Sequence, residues 1–236
     1  MRRRGKPMLA IHLFGKLSLQ QDGEEIESLR FGKLGELLSF LLLRRDRPHS
    51  REILASMLWG DNTTAHSRKY LRHALWQLQA MLRNGGESSA TLVADRDSVS
   101  LDLAGDVWLD VAVFERAWAQ VHNVHHSQLS ELQAQLLKSA VDVYRADLLE
   151  GWYQEWCLFE RERLQNMYLL ILEKLMSYCE EHEQYDAGME AGERILRLDR
   201  AHERTYEGAM DSGLDPSVWH AGTEESLGTN ARNRNG

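Results

Sequence analysis

The sequence predicts a mixed α+β module followed by an all-α helical-repeat module, and three observations predict it. Between residues 9 and 103 the spacing of apolar residues switches from two to about 3.6 and back, whereas beyond residue 110 only the helical spacing persists. Charge divides the chain at the same place. Residues 1–105 carry 16 Lys/Arg and 12 Asp/Glu, and residues 106–236 carry 12 and 24, within a net charge of −8. Third, the stretch from Thr63 to Arg83 joins a leucine stripe (Leu71, Leu75, Leu78, Leu82) to a face bearing His66, Lys69, His73 and Trp76, with Arg72 and Arg83 on its flank. No acidic residue lies between Asp61 and Glu87.

The 236 residues are enough for two ordinary domains with sizeable cores. The longest apolar run, Phe40 to Leu43, is far too short to span a membrane. Met1 to Lys6 is basic, but no apolar signal-peptide core follows it. Cys157 and Cys179 match no zinc spacing and imply no disulfide framework. A cytoplasmic address follows, with no membrane partner. The basic half is the one suited to phosphates.

In chain order, Leu9, Ile11 and Leu13 alternate with Ala10 and His12, and Leu17 alternates with Leu19, as half-buried strands require. Asp22-Gly23 supplies a two-residue hairpin turn, and Glu24 to Glu27 a short return strand. From Phe31 to Leu43, Leu34, Leu37, Leu38, Leu41 and Leu42 form a broad helical face that ends at Arg44-Arg45 and is stopped by Pro48. Ser50 caps a second short helix with Ile53, Leu54, Met57 and Leu58 inside. Gly60-Asp61-Asn62 then leads into the helix over 64–83, which Asn84-Gly85-Gly86 breaks. Thr91 to Ala94 and Ser98 to Leu103 read as two strands around an Asp95-Arg96-Asp97 turn.

A short helix, a loop, a longer helix and a β-hairpin, preceded by a small sheet, make a winged helix-turn-helix. Asp106 to Gln120 opens the acidic half as a helix through Val111, Phe114 and Trp118, with Trp108 stapling the junction. His122, His125 and His126 fall in a polar loop without a neighbouring Cys, which leaves them solvated rather than metal-bound. From Ser130 to Arg200 the chain is nearly continuous amphipathic helix, broken at Glu150-Gly151 and near His182. The helix from Leu164 to Glu181 pairs with Tyr185 to Leu198, whose Ala187, Gly188, Ala191 and Gly192 allow close backbone approach. Pairs of this length fit a tetratricopeptide-like repeat of ~34 residues, which stacks to leave a concave surface for a partner. Asp211 to Gly236 has no apolar period and reads as a disordered or atypical tail.

Taken together, LAIHLFGKLSL at 9–19, LLLRRDRPHSREILASMLWGD, SRKYLRHALWQLQAML, VDVYRADLLEGWYQEWCLFERERLQNMYLLILEKL and YDAGMEAGERILRLDRAHERTYEGAM resemble bacterial transcriptional regulators of the antibiotic regulatory protein type. In that family an OmpR-like winged helix precedes a bacterial transcriptional activator domain. The resemblance covers about Leu9 to Met210. It divides the chain into an OmpR-like DNA-binding domain over 1–105, an activator domain over 106–210 that is incomplete, and the tail over 211–236. The family would continue with further helices after Met210, and a truncated gene or a shifted reading frame near Asp211 would explain the tail. No GxxxxGK[ST] loop is present, so no ATP chemistry is inferred.

The implied function is a sequence-specific DNA-binding transcriptional regulator, an activator, that reads the major groove with the helix at 64–83. Lys69, Arg72 and His73 are the first choices for groove contacts, with Arg68, Tyr70 and Gln77 as further candidates. Arg96, at the predicted wing tip, would touch phosphate or enter the minor groove. The partners implied are double-stranded DNA, RNA polymerase or another protein held by the repeats, and a second copy in a homodimer. No catalytic set, cofactor or metal is expected. The alternative is a helical-repeat protein-interaction module without DNA-binding activity.

Overall fold

In the computed structural model the described residues are 9–21, 23–26, 32–84, 90–103 and 107–211, with side chains excepted at 83, 84 and 199–211. The first strand, β1 (Leu9–His12), buries Leu9 and Ile11 and pairs antiparallel with β2 (Ser18–Gln21). β2 in turn pairs with β3 (Glu24–Glu25), Gln21 opposite Glu24. Gly23 takes φ 91°, the left-handed value that the tight turn demands. Asp22 and Glu27 lie outside the described residues, as do Phe31, Gly85-Gly86 and residues 212–236.

Helix α1 (Lys33–Leu43) buries Leu37, Leu38, Leu41 and Leu42 as the leucine spacing requires. Strand β4 (His49–Ser50) leads into α2 (Arg51–Trp59), where the Ser50 hydroxyl accepts the Glu52 amide at 3.3 Å. Leu54 and Leu58 are buried, but Ile53 is 62% exposed, which corrects its placement inside. The buried side of α2 is made by Leu54, Ala55 and Leu58, and Ile53 falls beside it. Helix α3 (Thr64–Asn84) buries Leu71, Leu75, Leu78 and Leu82. The hairpin of β5 (Thr91–Ala94) and β6 (Ser98–Asp102) follows, and β4 adds to its edge with His49 opposite Val99. Helix-turn-helix and wing are therefore both present.

The acidic half opens differently from expectation. Val107–Leu109 form a strand, β7, that pairs in parallel with β1, Ile11 opposite Leu109. The sheet order is β3-β2-β1-β7. Helix α4 then runs Asp110–Val121, so it begins later than the sequence suggests. Trp108 lies against His12 with ring centroids 4.8 Å apart, the stapling contact expected of it. Asp110 reaches back to the first module: its carboxylate accepts the amides of Leu13 at 2.8 Å, Phe14 at 2.9 Å and Val111 at 2.7 Å.

Three more helices complete a four-helix array: α5 (Glu131–Val143), α6 (Glu155–Glu181) and α7 (Tyr185–Asp211). Ser130 and Gln133 close a capping box at the start of α5. The break between α5 and α6 is a docked segment rather than a simple turn. The Gly15 amide donates to the Asp147 carbonyl at 2.8 Å, and the Leu149 amide to the Leu13 carbonyl at 2.9 Å. Leu149, at φ 48°, is held in the left-handed region by that bond and by burial. Arg161 braces three of the segment's carbonyls, donating to Leu148 at 2.9 Å and to Leu149 and Trp152 at 3.0 Å. One apolar core thus runs through both modules, from Ile11 and Phe14 to Phe114, Tyr144 and Tyr168.

α6 and α7 are antiparallel, since Cys179 meets Gly188 while Tyr168 meets Arg194. A Cβ at Gly188 would stand 3.4 Å from the Cys179 Cβ, a close approach of the expected kind; at Gly192 the nearest atom is the Met176 sulfur at 3.7 Å, so that site has room.

Candidate nucleic-acid interface

The leucine stripe fixes which way α3 faces. With Leu71, Leu75, Leu78 and Leu82 packed inward, His66, Lys69, His73 and Trp76, spaced three, four and three residues apart, share the outward face. All four are exposed, Trp76 at 65%, and Arg72 and Gln77 flank them in solvent. Lys69 and Arg72 carry no ion-pair partner among the described residues. The His73 and Trp76 rings lie nearly parallel, 19° apart, with centroids at 6.1 Å. A cationic and hydrogen-bonding front on a buried apolar back has the chemistry that base edges and phosphates need.

Two of the sequence candidates sit elsewhere on the helix. Arg68 turns toward α2, where its guanidinium pairs with the Glu52 carboxylate at 2.6 Å. Tyr70 lies on the opposite flank, its ring 6.4 Å from Trp59 and 6.3 Å from His66. The start of α3 is anchored to α2, because the Ser67 hydroxyl donates to the Trp59 carbonyl at 2.8 Å. Ser67 is buried for that reason, although serine is usually a surface residue.

Arg96 occupies the hairpin tip, exposed between the exposed Asp95 and Asp97. Arg51 fastens the tip to α2: its amide donates to the Asp97 carbonyl at 3.0 Å and its guanidinium to the Asp95 carbonyl at 3.0 Å. Trp76 shares the outward face without being among the candidate contacts of the sequence, and the Arg51 brace belongs to no motif. An exposed tryptophan amid basic residues was the available signal for Trp76; nothing in the sequence marks the reach of Arg51.

The interface module is locked to the helical module by charge as well as by the core. Arg45 and Arg163 both meet Glu115 at 2.6 Å; Arg163 also meets Glu160 at 2.8 Å, and Arg44 pairs with Glu160. Glu160 is buried, and its two arginines are partly exposed. Burial is also the main reason the Asp110 carboxyl is pushed up to about 6, against the opposing pull of its three amide donors and of Arg145.

Among the described residues no group of three His, Cys, Asp or Glu converges as a metal site. His126 instead faces Glu181, Nδ1 to Oε1 at 3.3 Å, and His125 contacts His126 with centroids at 4.0 Å. Cys157 and Cys179 are free and buried, and burial pushes the Cys157 thiol up to about 11. No described helix is long and apolar enough to cross a membrane.

Residues 109–213 match the bacterial transcriptional activator domain family. No curated protein matches the chain. Among solved structures, the chain is similar to Mycobacterium tuberculosis EmbR in complex with low affinity phosphopeptide, with a TM-score of 0.52 at 20% sequence identity. The match covers 85% of this chain and 51% of that one, so the chain spans about half the length of the solved relative. At that identity the likeness concerns the fold, and it extends over both modules.

Proposed function

We propose that this chain, which carries a bacterial transcriptional activator domain behind a winged helix-turn-helix, is a sequence-specific DNA-binding transcriptional regulator. The observation that carries the reading is the outward face of α3: Lys69, Arg72 and His73 project from a helix whose leucines are all committed to the core. α3 enters the major groove, with Lys69, Arg72, His73 and Gln77 reaching base edges or phosphates and Arg96 touching the backbone beside it. Arg68 and Tyr70 contribute from the flanks. The domain over 1–105 binds DNA, and the repeats over 106–210 hold a partner: a second copy or the transcription machinery. The outcome of binding is activation, and the protein works in the cytoplasm.

Selection of bound fragments from a random-sequence duplex pool tests this, followed by titration of the selected fragment at several salt concentrations. Enrichment of one motif, with affinity that falls steeply as salt rises, is the expected result, because phosphate contacts release counterions. A pool that emerges unenriched at low salt overturns the reading and leaves the interaction-module alternative.

A further inference from the structure

The helical module carries a groove of about 420 Å3 between the end of α5, the middle of α6 and α7. Its floor includes Tyr144 and Tyr168, stacked with centroids 4.0 Å apart and planes 9° from parallel. Its rim carries three guanidinium groups: Arg145 from the α5–α6 segment, and Arg194 and Arg197 from α7. We propose that this groove binds an acidic peptide segment of a partner protein, its carboxylates meeting Arg145, Arg194 and Arg197 over the paired tyrosine rings.

Charge complementarity supports that occupant. Residues 106–236 hold twice as many acidic as basic residues, whereas the groove's lining sets three arginines against two acids, Asp147 and Glu190, and so carries a small excess of positive charge. Arg145 is exposed and has no ion-pair partner among the described residues. Among the described residues Arg194 and Arg197 form ion pairs only within their own helix, with Glu190 at 2.8 Å and Glu193 at 3.0 Å, and Arg194 also donates to the Val141 carbonyl at 3.4 Å and the Tyr168 hydroxyl at 3.5 Å. Both glutamates are 66% exposed. The Arg197–Glu193 pair is exposed on both sides, and such pairs four residues apart on a helix are weak, so an incoming carboxylate can displace it. The remaining acid of the lining, Asp147, is already engaged: it accepts from Gln165 at 2.8 Å and from the Tyr144 hydroxyl at 3.3 Å.

The spacing favours an extended ligand over a compact anion. Arg194 and Arg197 lie about one helical turn apart on one wall, while Arg145 stands on another, so several carboxylates along a chain satisfy them together. Leu198, half-buried beside the groove, gives an apolar side chain of the same segment a surface to cover, while Tyr144 and Tyr168 are themselves buried and shape the floor. This deepens the reading of the repeats as the partner-holding half and does not depend on DNA contact by α3.

The test uses the full chain and a fluorescein-labelled peptide alternating Glu and Leu, with its Gln-for-Glu counterpart, read by anisotropy. The Glu peptide is expected to bind, and the Gln peptide about tenfold more weakly. R145E and R197E should each reduce Glu-peptide affinity several-fold, and the double variant about tenfold. Arg197 is 75% exposed and Arg145 is exposed, so neither change disturbs the core. Duplex DNA binding, measured on the same samples, reports separately on the function of α3. Absence of binding, equal affinity for the two peptides, or full affinity in the double variant overturns the proposal. So does inorganic phosphate competing as well as the Glu peptide, which would make the groove a compact-anion site.

Discussion

The Asp110 carboxylate accepts the Leu13 amide at 2.8 Å, so the first residue of the helical module's opening helix holds the end of the first strand of the winged module. The bond spans 97 positions and is buried. Because burial raises this carboxyl from 3.8 to about 6 in the folded state, the native protein binds the proton more tightly than the unfolded chain. The contribution of Asp110 to stability is therefore greatest below pH ~4 and declines as pH rises to ~6, by about 2–3 kcal/mol. Other carboxylates titrate in the same range, so the check is Asp110→Asn, which removes this group alone. Urea unfolding of both proteins should show their stability difference shrinking as pH rises from about 4 to 6. A constant difference would mean that Asp110 ionises as freely as a surface aspartate.

Glu160 joins Arg44 of the winged module to Arg163 on its own helix. Removing a buried anion from two partly exposed cations leaves charges that can turn to water, so the cost is below that of a fully buried pair. Glu160→Ala should destabilise the protein by about 1–3 kcal/mol. It should also separate the two modules' unfolding, which calorimetry would record as a broadened or split transition.

Lys69→Ala and His73→Ala should weaken DNA binding while leaving the circular dichroism spectrum unchanged, since both side chains lie in solvent. A lost base contact costs about 1–3 kcal/mol and relaxes preference at one position. Arg68→Ala should cost less than either, because Glu52 draws that guanidinium away from the front. Fragment titrations on the three variants compare them directly. Equal losses at Arg68 and Lys69 would show that the Glu52 pair opens on DNA.

Leu75→Ala tests the other side of the same helix. Its side chain is buried among the α3 stripe, and truncation should cost about 2–5 kcal/mol. A thermal melt that does not move would show that α3 is not seated by its leucines.

Much of this architecture was legible because local signals agreed. Gly23, Ser50 and the α3 leucines each act within a few residues, where spacing and side-chain chemistry decide the outcome. What escaped was decided at long range. Val107-Trp108-Leu109 is too short to show a period, and only the edge of β1, nearly a hundred residues earlier, makes it a strand. The α5–α6 segment takes its shape from backbone pairing with residues 13–15, which no local pattern encodes. Ile53 has the spacing of a core residue, yet Leu54, Ala55 and Leu58 are the residues that seat α2 on its neighbours. The outward face of α3 followed from its leucines, but the diversion of Arg68 to Glu52 needed the position of α2.

α7 is less enclosed than α6. It packs along α6, with Ala191 buried at the contact, yet Tyr185, Met189 and Leu196 are exposed on its other side. α6 is instead packed against α5 as well as α7, and buries Leu164, Ile171, Leu172 and Leu175. Local opening of α7 consequently exposes less apolar surface than opening of α6, so its amides should exchange faster across Tyr185 to Leu198 than across Leu164 to Glu181. Gly192→Ala offers an independent handle. A Cβ there meets the Met176 sulfur at 3.7 Å, an ordinary contact, and alanine removes the conformational freedom of a mid-helix glycine. The change should stabilise α7 by about 0.5–1 kcal/mol and slow its exchange without altering that of α6. Exchange in α7 that already matches α6 in the parent protein would mean that its outer face is covered, by a second copy or by other parts of the chain. Sedimentation at several concentrations would then separate those two cases.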